Sequence, residues 1–494
     1  MERRSFLGGI LLAGLGGFSL KALAASLPHG LPASGSPAAL LNPDLLPAGA
    51  DLGAMPRLAN ESRQAGLFKA TLTAAPVKVP LLSAAATEFW AYNSSLPGPL
   101  IEVMEGDTVE ITLVNRLPQP TSIHWHGLPV PPDQDGNPQD AISPGQSRTY
   151  RFTLPEGSAG TYWYHPHPHE FTAEQAFRGL AGGFIVRAKH DPLSEMPERS
   201  LILSDLKLDA RGQIAANDSG DWMNGREGQF VLTNAQNRPM LRFSSQGRER
   251  WRIWNANSAR YLRLQLPGST LTLVGSDGGL LEKPIPGLAE CLLAPGQRAE
   301  LIVEAGARRD RATLISAVYE RGKMGDVAPD KSLAILSVDF STVTASALTP
   351  LPARLAVIKD PGEPVAHKRV VFSEDMSMRD GQHEMRFLVN GRQYDMRRMD
   401  LTSRVGDVEV WDIVNQADMD HPFHLHGTQF QVLSREKDSV VTAEPYKAWH
   451  DTVNLKSGET VRIKTVQHWP GIRMFHCHIL EHEAAGMMGQ LLVV

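Results

Sequence analysis

Four short histidine runs carry the densest chemistry in this sequence. They are His124-Trp125-His126-Gly127, His165-Pro166-His167, His421-Pro422-Phe423-His424-Leu425-His426-Gly427, and His476-Cys477-His478 with His482 behind it. Alternate residues of a strand share a face, so a His-x-His pair presents two imidazoles side by side, a natural way to hold a metal ion. One pair alone says little, since two surface histidines on a strand are common. Four pairs, split between two distant regions, point to a cluster of several metals. None of the 17 histidines lies between His190 and His367, so the middle of the chain reads as silent in this chemistry.

Cys477 narrows the metal. A thiolate, two imidazoles and a distant thioether describe a blue-copper electron-transfer site, and His421, Cys477, His482 and Met487 supply that set. Zinc also accepts Cys and His, but it needs no Met and carries no electrons. Met488 is a second candidate for the sulfur; spacing from His482 favours Met487. On a strand Cys477 points one way while His476 and His478 point the other. A short bonded path then joins the copper at Cys477 to metals held by its neighbours.

Such residues need a rigid frame, and the sequence writes one frame three times. Gly106-Asp107 opens an alternating run that ends at Asn115, Gly247-Arg248 one that ends at Asn255, and Gly406-Asp407 one that ends at Asn415. A second turn follows each: Pro144-Gly145, Pro295-Gly296 and Ser457-Gly458, all leading into another alternating run. Period-two alternation bounded by Gly and Pro signals half-buried strands. The fold expected is all-β, three consecutive Greek-key β-sandwiches over 61–191, 192–358 and 359–494. A chain of 494 residues suits three domains.

Ahead of them, Arg3-Arg4-Ser5-Phe6-Leu7, a Gly-rich apolar stretch and Ala22-Leu23-Ala24 read as a twin-arginine export signal over 1–24. That implies passage through the twin-arginine export machinery to the periplasm. Residues 25–60, rich in Pro, Ala and Gly without periodicity, read as a flexible linker outside the core. A net charge of −5 without Lys/Arg blocks leaves no nucleic-acid footprint. No apolar run of membrane-spanning length occurs, so no stable membrane insertion is expected. Cys291 and Cys477 rule out a disulfide scaffold; Cys291 reads as a buried thiol. His169, His450 and His468 read as ordinary residues, and Trp163, Trp251, Trp254 and Trp411 as packing.

With these motifs in this order, the chain resembles the multicopper oxidases, a family that includes bacterial laccases and the cuprous oxidases of copper efflux. The resemblance runs from about residue 65 to Val494. It implies cupredoxin domains and four copper ions: a type-1 copper on His421, Cys477, His482 and Met487, a type-2 copper on His124 and His424, and two type-3 coppers on His126, His165, His167, His426, His476 and His478. It further implies an oxidase that couples four one-electron oxidations to reduction of dioxygen to water. Cys477, His476 and His478 would carry the electrons, and Asp135 and Glu483 would deliver protons. A cluster closed within one chain suggests a monomer.

The electron donor is open at this level. Cuprous oxidases of the family carry Met and Asp near the type-1 copper, and here Asp418, Met419, Met376 and Met378 could hold a substrate Cu(I). The long Met- and His-rich insertion of the efflux enzymes is absent, and these methionines could equally fill gaps in a core. Laccase-like oxidation of phenols or aromatic amines is the alternative, with Fe(II) or Mn(II) as further donors. A reading of another class is a copper-binding or structural envelope protein whose oxidase activity is incidental.

Overall fold

The computed structural model describes residues 39–494 apart from 83–85, 346–347 and 380–381, and the side chains of 377–384 are likewise outside the description. The export-signal reading of 1–24 therefore lies outside the described residues. The regular secondary structure described is nearly all strand, in three consecutive sandwiches. The first pairs two four-stranded sheets between Leu67–Val79 and Gly182–Arg187. The second, from Glu198–Leu206 to Leu333–Asp339, has sheets of seven and five strands, and the third, from Ala366–Arg379 to Met488–Val493, has sheets of six and five. Each encloses its own core, around Trp125 and Tyr164, around Trp251 and Leu301, and around Trp411 and Phe475.

The repeat has a physical basis. In every sandwich the strand after the first Gly turn lies antiparallel to the strand after the second: Thr112 opposes Thr149, Trp251 opposes Leu301, and Trp411 opposes Ile463. The same strand runs parallel to the opening strand, with Leu113 beside Leu72, Ile253 beside Leu201 and Ile413 beside Val370. A parallel neighbour requires a crossover, which separates this arrangement from a simple meander.

The Asn that closes each run is buried and does the same work three times. Asn115 Nδ2 donates to the carbonyls of Gln119 and Ile142 while its Oδ1 accepts from Leu117 N. Asn255 bonds Arg260, Leu293 and Asn257 in the same way, and Asn415 bonds Met419, Leu455 and Ala417. Chain leaving the strand is thereby turned toward the next one, which in the first and third sandwiches carries a His-x-His pair.

The linker reading of 25–60 needs correction over its described part. Residues 39–58 form a strap across the first two sandwiches. Leu41 and Leu46 are buried with Leu208 and Phe230, and Met55 with Leu100, Trp163 and Trp254. Isolated bridges join Leu40 to Asp209, Asp51 to Met240 and Arg57 to Leu100. The strap belongs to no sheet, so its buried side chains follow no period and gave no sequence signal. The seam between the first two sandwiches is ionic as well. Glu198 bridges Arg187 and Arg252, and Arg252 and Arg250 converge on Glu300.

Candidate metal centre

The first and third sandwiches face each other across two histidine strands. His124 stands opposite His165 in register, and His424 opposite His476. His167 lies just beyond the strand Gly160–His165, and His426 and His478 just beyond His421–Leu425 and Gly471–Cys477. With His126, which ends the strand His124–His126, these make eight histidines, all fully buried. The Nε2 atoms of His124 and His424 are 3.1 Å apart, those of His167 and His476 3.2 Å, and those of His426 and His476 3.0 Å. His126 Nδ1 is 3.4 Å from His165 Nε2, and the His478 ring sits 4.9 and 5.6 Å from those two rings. The ring nitrogens of His167, His426 and His476 lie within 4.8 Å of one another, as do those of His124, His126 and His165 and those of His124, His424 and His426, while the His478 ring stands beside the rings of His126 and His165.

The donor set fits metal ions. Burial holds His126, His165, His167, His424, His426 and His478 well below the usual imidazole range and His476 down to about 3, so these rings are neutral. Outer nitrogens are fixed by carbonyls: His165 Nδ1 on Pro166, His424 Nδ1 on Asp451 and His476 Nδ1 on Cys477, at 2.8–2.9 Å. Each therefore turns a lone pair inward, toward another lone pair. Neither nitrogen of His478 has a hydrogen-bond partner among the described residues. Opposed buried lone pairs repel unless a cation sits between them.

On the other face of the Cys477 strand, His421 Nδ1 lies 3.3 Å from Cys477 Sγ and 3.4 Å from His482 Nδ1. The helix Leu480–Ala484 swings the chain back so that Met487 O accepts from Cys477 N and Met487 N donates to His482 O. Met487 shares the core with Cys477, whereas Met488 pairs in register with His476. Burial pushes the Cys477 thiol far above its ordinary range, so a thiolate here needs a cation beside it. Both imidazoles are covered. His421 Nε2 is 3.0 Å from Glu374 Oε1, and His482 Nε2 is 3.2 Å from the Met223 carbonyl with Phe387 stacked on its ring at 3.9 Å.

Of the acids read from the sequence, Asp135 places Oδ1 3.1 Å from His124 Nδ1 and Oδ2 3.4 Å from His426 Nδ1. Glu483 is buried 4.0 Å from His167 Nδ1, and desolvation raises its pKa to about 8. The Cu(I) site is not assembled as expected. Met419 is fully buried and its sulfur takes the Arg321 guanidinium at 2.9 Å, a cation that disfavours a second one; Asp418 is exposed. Met376 is 55% exposed, on the strand that carries Glu374, and the Met378 side chain lies outside the described residues.

Glu374 and Asp451 had no sequence signal, since each is distant in sequence from the ligand it touches or outside every motif. Among the residues read as ordinary, His169 packs edge-on against Tyr394 and Cys291 is a buried free thiol pushed up to about 12. His450 Nδ1 contacts Asp277 Oδ2 at 3.2 Å.

Three family models, each described as multicopper oxidase, match this chain over 73–191, 204–339 and 369–494. The chain is similar to the multicopper oxidase mco of Staphylococcus aureus, 32% identical over 81% of this chain and 83% of that one. It is similar to the laccase of Bacillus subtilis, at 27% identity over 81% and 89%. Among solved structures, a multicopper oxidase from Campylobacter jejuni described as a metallo-oxidase superposes with a TM-score of 0.88 at 43% identity, covering 93% of this chain and 98% of that one.

Proposed function

This chain belongs to the multicopper oxidase family and is a copper-dependent oxidase, and on that premise we propose that its donor is a reduced metal cation, Cu(I) first. Copper held at these sites would supply one-electron oxidation beside Cys477 and reduction of dioxygen to water in the histidine cage. His421, Cys477, His482 and Met487 would hold the type-1 ion, His124 and His424 the type-2 ion, and the other six cage histidines the type-3 pair. Cys477 provides a bonded path to two of these six, His476 and His478. Asp135 and Glu483 stand at cage histidines, where they can hand over the protons that water formation consumes.

The observation that carries the choice of donor is the covering of the type-1 histidines. Neither ring offers a bare edge to an aromatic donor. The outer nitrogen of His421 instead meets the Glu374 carboxylate, a group that attracts a cation, and Met376 two residues on offers an exposed soft sulfur. The metallo-oxidase similarity of the Campylobacter jejuni structure supports the same choice.

The location that goes with this reading is the periplasm, reached through the twin-arginine run, with copper tolerance as the benefit. Every cage residue comes from one chain, which supports a monomer as the working unit. The test is dioxygen consumption by the copper-loaded protein on Cu(I) and on a methoxyphenol, the latter with a copper chelator. Fast turnover of Cu(I), with a raised KM for Cu(I) in Glu374→Gln, is expected. Good phenol turnover under chelation with poor use of Cu(I) would make the protein a laccase.

A further inference from the structure

The middle sandwich contributes no histidine to the cage, yet one of its side chains reaches it. Arg298, the first residue of the strand Arg298–Glu304, is buried where the three sandwiches meet. All five of its N–H groups are used. Nε donates to the Thr161 carbonyl at 2.7 Å, Nη1 to Gly296 O at 3.0 Å and Asp451 Oδ1 at 2.8 Å, and Nη2 to Asp277 O at 3.0 Å and Asp451 Oδ2 at 2.5 Å. A bidentate guanidinium–carboxylate fork is strong and directional. The carboxylate it grips faces the cage: Asp451 Oδ1 is 2.9 Å from His126 Nε2 and 3.6 Å from His424 Nδ1, and the Asp451 carbonyl accepts from His424 Nδ1 at 2.8 Å. Gly127 closes the first His-x-His motif because a Cβ there would strike both Asp451 and Arg298.

The opposite flank has the same layout with a looser grip. Asp135 serves His124 and His426, Gly427 clears the Arg473 guanidinium, and Arg473 reaches Asp135 through one contact at 3.5 Å. Nε and Nη2 of Arg473 have no hydrogen-bond partner among the described residues.

We propose that Arg298 is a positioning residue of the cage: it fixes Asp451, and through Asp451 the orientation of His424 and His126, so that the ligand-free sandwich governs how firmly the type-2 copper is held. The test uses the full, copper-loaded chain and reads copper per chain, blue absorption, the type-2 electron paramagnetic resonance signal, and its loss on titration with a chelator. Arg298→Lys keeps the charge but cannot fork. It is expected to retain the blue absorption, to show an altered type-2 signal, and to lose type-2 copper at about 10–100-fold less chelator. A type-2 signal and chelator resistance equal to the parent's overturn the proposal.

Lysine also leaves buried acceptors unpaired, so the fold is guarded by a second variant, Arg298→Met with Asp451→Leu, which removes both charges together. A folded, blue double variant without type-2 copper supports positioning, and one with the parent's type-2 signal refutes it. Absence of that signal in the parent chain would refute the copper cage itself, and this proposal with it.

Discussion

Replacing Asn415 with alanine removes three buried hydrogen bonds at one stroke. Its Nδ2 donates to the Met419 and Leu455 carbonyls at 2.8 and 3.1 Å, and its Oδ1 accepts from Ala417 N at 3.0 Å. Alanine leaves one N–H and two carbonyls without these partners, at about 1–3 kcal/mol for each buried group. Some relaxation brings the sum to about 4 kcal/mol, a fall of about 10 °C in the melting midpoint of a domain this size. The loss falls on the segment that delivers His421, so the blue absorption of the copper-loaded protein should bleach well before the far-ultraviolet dichroism changes. Asn255→Ala breaks the corresponding three bonds in the sandwich without ligands, and a fourth from Asn257 Nδ2, and should leave absorption and dichroism falling together. Bleaching of the Asn415 variant at the parent's temperature, or equal early bleaching of both variants, would refute the assignment of these asparagines as delivery points for the strands that follow.

Glu483→Gln keeps the shape beside His167 and removes the proton; blue absorption should persist while dioxygen consumption falls at least tenfold, and unchanged turnover would remove the role. Folded-state pKa values near 2 for Glu198 and Glu227, caused by their arginine and lysine partners against the cost of burial, lie below the ordinary 4.5. Their stabilisation is complete above about pH 4.5 and is lost as pH falls toward 2, at about 3 kcal/mol for each; denaturant midpoints that stay flat across that window would contradict it. Leu46→Ala in the strap should lower stability by about 2–4 kcal/mol, with copper content unchanged, read from denaturant unfolding and metal analysis. A change below about 0.5 kcal/mol would mean the strap is not seated in solution.

What the sequence disclosed and what it withheld divide along one physical line. Ligand spacing is local: strand alternation sets which of His476, Cys477 and His478 share a face, and the repeated turn–strand–Asn outline sets the sandwiches. Contacts between sandwiches have no such period. Arg298 is one arginine of a strand in a region with no histidine, Asp451 stands beside a histidine that no motif includes, and Glu374 lies 47 residues before the His421 it covers. Asp418-Met419 looked like a soft-metal site because its position beside His421 is visible in the sequence. The Arg321 guanidinium that takes the Met419 sulfur comes from the middle sandwich and is not.

The meeting of His124 with His424 spans 300 residues of chain. Such a contact closes a very long loop, and long-range pairings of this kind form late in folding. A growing polypeptide completes its N-terminal sandwich long before the partner half exists. Until the third sandwich emerges it can present only half a cage, and no thiolate site at all, because Cys477, His478, His482 and Met487 all come after the first sandwich's histidines and after His421, His424 and His426. Dioxygen chemistry is thus withheld from any piece of the chain that stops before Met487, and the order of the ligands along the sequence is itself the safeguard against a redox-active fragment.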